Sequence, residues 1–350
     1  MSDVAASVEG NSEAVTITDA KAPFDSPDAE VIIRSSDNVD FRVFKAFLSS
    51  VSDVFKDMFA LPQGPADVTR DDEEMRHGLP VIRVTEENRI VETLLMFCYP
   101  NILTSVPVLQ TVDEILPMLE VAIKYGIEKL EKQLRKVVFS PPLVNDRAMQ
   151  LFVVAYQHRW EKEIRIAAKY TLVQPAWGRL YVTELESITG GDLHRLQQYR
   201  LECVAAATRV ATTSDWMKWE SLSELKCKVC EHAKKEVRVK GPWGAVTYRP
   251  SSWWLNYMEV AAKELAKLPW GDTVMESVAT DAALRQTHRC TSRTEKKFTE
   301  FCEEFAGEVD RAISEVCSKL SNNVSPDRQF SCAGHPGYQA LRSIIKIRMG

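Results

Sequence analysis

The sequence has 350 residues, of which 45% are hydrophobic and 27% charged, so it can form two or three folded domains of ordinary composition. Its formal net charge of -5, with no dense Lys/Arg block to offset it, argues against a nucleic-acid-binding protein. It has no run of about 18 apolar residues and no apolar segment of signal-peptide length near its start, so we expect an intracellular protein, cytoplasmic or nuclear, with no membrane partner.

The first elements predicted in chain order are a tail and a hairpin. Residues 1–23 are rich in Ser, Ala, Asp and Glu without periodicity, which predicts a disordered tail. Residues 29–34 and 40–43 have the composition of two strands joined by a turn. One amphipathic helix is expected next, and its spacing predicts a buried face of Phe47, Leu48, Val51, Phe55, Met58 and Phe59.

A charged segment with Pro and Gly separates this helix from the next strand. Residues 62–78 form this predicted loop, and residues 79–84 the third strand. Three helices are expected after it, at residues 90–99, 112–124 and 127–138, with Gly126 between the last two. Thr111 and Glu114 have the spacing of a capping box, but Pro117 inside the same frame leaves that boundary open.

From residue 146 onward the pattern is predominantly helical. The apolar spacing predicts helices at residues 146–160, 164–172, 192–210, 221–239, 252–268 and 292–320. Capping-box patterns at Ser221/Glu224 and Ser292/Glu295 support two of these starts. The last helix has one apolar stripe that includes Phe298, Phe301, Cys302, Phe305, Val309 and Ile313. We therefore predict an α+β unit followed by a large all-helical region.

An ordered series of residues in the first unit resembles one family. The series comprises Asp28, Phe41-x-Val43-Phe44-Lys45, Leu48, Ser52-x-x-Phe55-x-x-Met58-Phe59, Leu94-Leu95-x-Phe97-x-Tyr99, Ala122-x-Lys124-Tyr125-Gly126 and Leu130. It resembles the BTB (POZ) domain over residues 24–140. The segments GLPVI at 78–82 and FCYP at 97–100 are similar to those of BTB proteins expanded in mushroom-forming fungi.

The resemblance implies a domain organisation and a function. Residues 141–210 resemble the helical extension called the 3-box and BACK region, residues 211–322 would form a further helical region, and residues 323–350 a tail. BTB domains associate with other proteins, so the expected function is a non-catalytic scaffold or adaptor that forms a homodimer or a hetero-BTB dimer. The expected contact residues are Val31, Phe41, Phe44, Phe47, Phe55, Met58 and Phe59.

An alternative function is a substrate adaptor of a cullin-based ubiquitin ligase. Family members that recruit a cullin scaffold often have a hydrophobic-x-Glu motif after the helix that ends in Met-Phe. This chain has Leu61-Pro62-Gln63 there, with Gln in place of Glu, which argues against a cullin partner. Phe44 also replaces a His that is common in the family, and this change indicates drier local packing.

The eight cysteines suggest one metal hypothesis, a zinc-stabilised transcriptional regulator. Cys227 and Cys230 have C-x-x-C spacing, with His232 nearby and His288-x-Cys290 downstream, and a structural zinc ion needs four such ligands. The apolar spacing around the pair instead favours two helix cysteines at the edge of a core. We therefore expect free thiols and no cofactor.

Motifs for catalysis are missing from the sequence. It has no G-x-S-x-G elbow, P-loop, H-E-x-x-H or Gly-rich dinucleotide turn, so we predict that the protein is not an enzyme. Tryptophans are concentrated in the C-terminal third, without an interleaved basic stripe. They are therefore predicted to anchor a helical core: Trp216, Trp219, Trp243, Trp253, Trp254 and Trp270.

Overall fold

The computed structural model describes residues 16–60, 75–100, 102–174, 181–225, 236–242, 244–284 and 292–320. Contacts divide the chain into two compact units, one extending to Val138 and the other starting at Phe139. Within the described ranges, none of the helices combines the length and the apolar character needed to cross a bilayer.

The first unit contains a five-stranded sheet with the order β1-β3-β2-β5-β4. Its strands are β1 (Thr18–Asp19), β2 (Val31–Arg34), β3 (Val39–Val43), β4 (Met75–Arg76) and β5 (Leu79–Arg83). Strand β2 is antiparallel to β3 and parallel to β5, which confirms the predicted hairpin and third strand. Thr18 and Asp19 pair with Val39 and Asp40 of β3, so ordered structure begins before residue 23. The prediction of a disordered tail over residues 1–23 is therefore wrong for the end of that segment.

An ion-pair network centred on the buried Arg34 and Asp40 links four of these strands. Arg34 Nε and Nη2 lie 2.5 and 2.8 Å from the two carboxylate oxygens of Asp40. Arg76 Nη1 lies 2.5 Å from Asp40 and 2.9 Å from Asp19, so it connects β4 to β3 and β1. Burial pushes the pKa of Asp40 upward, but the hydrogen bonds and charges of both guanidinium groups outweigh it and lower that pKa.

The described part of the first unit also contains five helices. They are α1 (Lys45–Val51), α2 (Asp53–Ala60), α3 (Asn88–Cys98), α4 (Val112–Lys124) and α5 (Glu128–Val138). The prediction of a single helix over α1 and α2 is wrong, because the helix is interrupted at Ser52. The Ser52 N–H donates to Leu48 O at the end of α1, while its Oγ accepts from the Phe55 N–H and donates to Tyr125 O at 2.5 Å. Ser52 is thus the N-cap of α2, and Val51 beside it is 37% exposed rather than buried.

The start and end of α4 follow the residues that the sequence analysis singled out. Thr111 and Glu114 form a complete capping box, and Pro117 is accommodated inside the helix. Gly126, at φ +64°, ends this region in a left-handed conformation. Its N–H donates to Ile123 O, and the next N–H, of Ile127, donates to Ala122 O, the two bonds of a Schellman motif.

The second unit consists largely of helices, which confirms the helical region that was predicted. They are α6 (Leu143–Asp146), α7 (Ala148–Gln157), α8 (Glu161–Thr171), α9 (Gly190–Thr212), α10 (Trp219–Glu224), α11 (Ser252–Lys267), α12 (Ser277–Leu284) and α13 (Ser292–Leu320). Helix α9 packs against both α11 and α13. The regions predicted as 141–210 and 211–322 therefore share one core, and the BACK-like nature of the first remains a prediction.

A hairpin interrupts this helical unit, so the prediction of an all-helical region is wrong at this point. Strand β6 (Val237–Gly241) pairs in antiparallel fashion with β7 (Gly244–Tyr248). Of the helix predicted over 221–239, residues 226–235 lie outside the described residues and residues 237–239 belong to β6. Helix α10 starts at Trp219 and ends at Glu224, so Ser221 is not its cap. Valines 237 and 239 alternate with Arg238 and Lys240, and this period of two is typical of a strand.

The core of the second unit is aromatic. The predicted stripe of α13 is buried at Phe298, Phe301, Cys302, Phe305, Val309 and Ile313. Tyr257 on α11 contacts Phe298 edge-on at 4.9 Å between ring centroids, and Trp216 stacks on Phe305 at 5.4 Å. Trp253 and Trp254 are buried as predicted. Trp243 and the side chains of Ser292 and Glu295 lie outside the described residues.

Four cysteines fall in the described ranges, and all four are free thiols, as expected. Cys98, Cys203 and Cys302 are buried, whereas Cys317 is half-buried. Burial raises the pKa of Cys98 and Cys203 to about 12 and that of Cys302 to about 11. These three side chains are therefore neutral core groups at physiological pH.

Candidate protein-interaction surface

The seven predicted contact residues divide into two groups according to burial. Val31, Phe41 and Phe55 are at most 2% exposed, so they build the core beneath the surface. The other four are half-buried on or beside α1 and α2: Phe44, Phe47, Met58 and Phe59. Together with the exposed Val51, these four residues form what we call the α1–α2 surface.

Aromatic contacts hold one half of the α1–α2 surface in place. Phe44 and Phe47 meet edge-on at 5.6 Å, and Phe47 meets Tyr99 at 4.9 Å between ring centroids. The Phe44 N–H donates to the Tyr99 hydroxyl at 3.2 Å, and burial raises the pKa of Tyr99. Phe44 is half-buried and packs on the Phe47 ring, while the drier packing expected at this position stays a prediction.

The other half is anchored through α2. The Phe55 ring stacks nearly parallel to the rings of Phe59, at 5.9 Å, and Tyr125, at 4.7 Å between centroids. Lys45 Nζ on α1 lies 5.6 Å from the Phe59 ring centroid, in range of a cation–π contact between the two helices. The partly exposed rings therefore stand on a rigid base, as a recognition surface requires.

A charged cluster fixes Tyr125, the ring beneath α2. Glu86 accepts hydrogen bonds from Lys124 Nζ at 2.5 Å and from the Tyr125 hydroxyl at 2.9 Å. Burial, followed by the charge of Glu86, raises the pKa of Tyr125, so the hydroxyl stays protonated as a donor. The base of the surface is thus tied to the segment that follows β5.

A second exposed apolar segment was not among the predicted contact residues. Ile102 is 91% exposed and Val108 79%, while Leu103 and Val106 are each 49% exposed. Thr104 between them is buried and donates to Met96 O at 3.1 Å, so the segment is fastened at one point. We call residues 102–108 the apolar strip. Its signal in the sequence is a run of aliphatic residues that has no helical spacing and lies between two predicted helices.

These surfaces are suited to apolar association. Burial of aromatic and aliphatic side chains supplies binding free energy at roughly 25 cal/mol per Å². Across the ranges that the structure covers, no group of three or more His, Cys, Asp or Glu side chains could hold a metal ion. Cys227 and Cys230, the predicted zinc pair, and Leu61-Pro62-Gln63, the cullin-related segment, lie outside the described residues.

Comparison with known proteins identifies the first unit. Residues 25–139 match the family model of the BTB/POZ domain, which covers about a third of the chain. A search among curated proteins found no match. The sheet, the helices and this match together make the first unit a BTB/POZ domain, a type of module that mediates protein–protein interaction and commonly dimerises. The closer likeness to fungal BTB proteins stays a prediction.

Proposed function

We propose that this protein is a non-catalytic scaffold or adaptor that self-associates through its BTB/POZ domain, with the α1–α2 surface as the contact. The observation that carries the proposal is a group of large apolar side chains that stay partly exposed to solvent on a domain with a buried core of its own. Val51 is 37% exposed, and Phe44, Phe47, Met58 and Phe59 are half-buried beside it. A second copy of the same surface would cover them.

Symmetry favours a second copy as the occupant. In a two-fold dimer each apolar side chain is used twice, so a small surface on one chain contributes to both halves of the interface. A stable dimer of ordinary size buries about 800 Å² per partner. Two short helices with their flanking residues can supply the apolar centre of such an interface, and Lys45 and Lys56 can contribute to a polar rim.

The proposed organisation assigns separate roles to the two units. The BTB/POZ domain over residues 24–140 would bring two chains together, as a homodimer or with another BTB protein. The helical residues 141–322 would then present or recruit a further protein partner. Dimerisation would double the number of such partners per particle and strengthen binding to any target with two sites.

The experiment is light scattering after gel filtration of the full chain across micromolar concentrations. We expect a dimer for the wild type and a monomer for Val51→Asp and Met58→Asp, because each places a charge in an apolar contact. Val278→Asp is the matched control, since Val278 is 58% exposed on α12 in the other unit and should leave the dimer intact. Circular dichroism confirms that each variant is folded.

Two results would contradict the proposal in different ways. A monomeric wild type at all concentrations would refute self-association. If the dimer persists in Val51→Asp and Met58→Asp but dissociates in Ile102→Asp or Val108→Asp, the dimer interface lies on the apolar strip and not on the α1–α2 surface.

A further inference from the structure

The β6–β7 hairpin in the second unit has one covered edge. On the β6 side, the Lys240 N–H donates to Met217 O at 3.1 Å, and the Ser214 hydroxyl donates to Arg238 O. The backbone groups of Arg238 and Lys240 therefore point away from β7. In an antiparallel ladder, residues whose backbone groups point outward belong to the pairs that do not hydrogen-bond to each other.

The register of the hairpin shows which backbone groups of β7 point outward, and this outer edge of β7 is unpaired within the described residues. Arg238 is paired with Thr247 and Lys240 with Ala245, so the N–H and C=O groups of Thr247 and Ala245 also point outward, on the opposite side. Neither residue makes a backbone hydrogen bond within the described ranges, and both are exposed. Two donors and two acceptors thus stand about 7 Å apart along the strand, the spacing of an added strand.

The side chains of β7 do not block this edge. The strand reads Gly-Ala-Val-Thr-Tyr and contains no Lys, no Pro and no inward-pointing charge, the usual devices that prevent edge pairing. Its positive charge lies on the neighbouring strand instead. Arg238 and Lys240 alternate with buried or half-buried valines and therefore share the exposed face of the hairpin.

Two further cations lie near this face. The backbone of Lys218 forms an isolated parallel β-bridge with that of Lys240. The Lys218 Nζ lies 3.9 Å from a Glu304 carboxylate oxygen, a distance that leaves the lysine charge only loosely paired. Arg249, directly after β7, is more fully compensated by Glu236 at 2.8 Å. The open edge is consequently bordered by a positive face.

We propose that the β7 edge binds an extended acidic peptide of a partner protein, which adds a third strand to the hairpin. Backbone bonds to Ala245 and Thr247 would hold the peptide, and carboxylates at alternate positions would face Arg238 and Lys240. A third strand would lie about 10 Å from β6, a gap that long Arg and Lys side chains bridge to a Glu side chain. This inference is independent of self-association through the BTB/POZ domain.

The test is fluorescence anisotropy of the full chain with a labelled peptide in which Glu alternates with Val and Thr. We expect saturable one-to-one binding that weakens as NaCl is raised, because exposed charges are screened. The double variant Arg238→Glu/Lys240→Glu should raise the Kd by about tenfold or more. Charge reversal at two exposed lysines of the same unit, Lys162→Glu/Lys296→Glu, is the matched control and should leave the Kd unchanged.

A second pair of variants separates strand addition from simple charge attraction. Thr247→Pro removes an outward-pointing N–H without removing a bond between β6 and β7, so it should abolish binding, whereas Thr247→Ala keeps the N–H and should bind normally. A peptide of the same charge with central prolines should not bind.

Three results would overturn the inference. Equal binding of the proline-containing peptide would indicate charge attraction alone. No binding by the wild type, with circular dichroism showing a folded protein, would exclude the acidic peptide. Chain dimers that dissociate with Thr247→Pro would instead assign the edge to a second copy of this hairpin.

Discussion

The two units of the molecule are stabilised in different ways. In the BTB/POZ domain, directional polar links decide where elements begin, end and pair: Arg34 with Asp40, Ser52 with Tyr125 O, and Glu86 with Lys124. The core of the helical unit is mainly aromatic, and two of its buried indole groups, those of Trp253 and Trp254, have no hydrogen-bond partner within the described residues. One of its polar links is local, between the buried Asp192 and the Thr189 and Arg195 side chains close by in the sequence. Polar links between distant elements require particular residue types at particular positions, whereas aromatic packing can build a core from many different sequences.

The largest expected effect comes from the aromatic core. Phe305 is fully buried and contacts the rings of Trp216, Tyr257 and Phe301. Phe305→Ala should lower the free energy of unfolding of this unit by about 4 kcal/mol, since it removes a large side chain and leaves a cavity. Hydrogen exchange should accelerate along α9, α11 and α13. Tyr181→Ala is the control, because the Tyr181 ring is 65% exposed. An equal loss of stability in this variant would show that the loss at Phe305 does not come from buried aromatic packing.

The buried ion pair of the sheet should have the next largest effect. Asp40→Asn should lower the free energy of unfolding by about 3 kcal/mol at neutral pH, because it removes the buried carboxylate that pairs with both Arg34 and Arg76. Asp57→Asn, at an exposed site on α2, is the control.

This effect should also depend on pH with a definite sign. The pKa of Asp40 is lower in the folded state, so its contribution is complete above the unfolded value of about 4 and is lost as the pH falls below it. The difference between wild type and Asp40→Asn should therefore shrink in acid, as measured by urea unfolding at several pH values. A constant difference would contradict the assignment.

A smaller loss is expected at the break between α1 and α2. Ser52→Ala should cost about 2 kcal/mol, because it removes the cap of α2 and leaves Tyr125 O without this donor in a buried place. Ser50→Ala removes a hydroxyl from an exposed position of α1 and should change stability little. Similar effects of the two substitutions would mean that the link to Tyr125 contributes nothing.

The smallest of these effects is expected at the start of α4. Thr111→Ala should cost about 1 kcal/mol, since it removes one half of the capping box but leaves the helix packed on its buried face. Thr111→Ser retains the hydroxyl and should restore most of the stability in thermal unfolding. No loss with Ala would show that burial alone positions α4.

The residues explain which parts could be predicted. The Thr111/Glu114 box and Gly126 act locally, so their residue types indicate the ends of α4, although Pro117 left the first of these boundaries open. The break at Ser52 depends on the distant Tyr125 carbonyl, and nothing near Ser52 in the sequence shows that partner. At 237–248 the alternation was visible, but the helical spacing of the preceding residues concealed it.

The candidate surface was predictable in location but not in composition. Phe55 belongs to the same helical apolar pattern as Phe47 and Met58, and only the fold distinguishes the buried residue from the half-buried ones. Val31 and Phe41 are strand residues that the fold places in the core. The apolar strip escaped prediction because it has no period, which is the property that sequence analysis uses to detect an element.

The buried thiols allow the rate of local opening to be measured separately in each unit. Cys98 lies in the BTB/POZ domain, and Cys203 and Cys302 lie in the helical unit. An alkylating reagent reaches them only when the surrounding structure opens, so the labelling rate at each site reports the frequency of local opening in the unmodified protein. Peptide mass spectrometry can follow the units side by side, with the half-buried Cys317 as the fast-reacting reference.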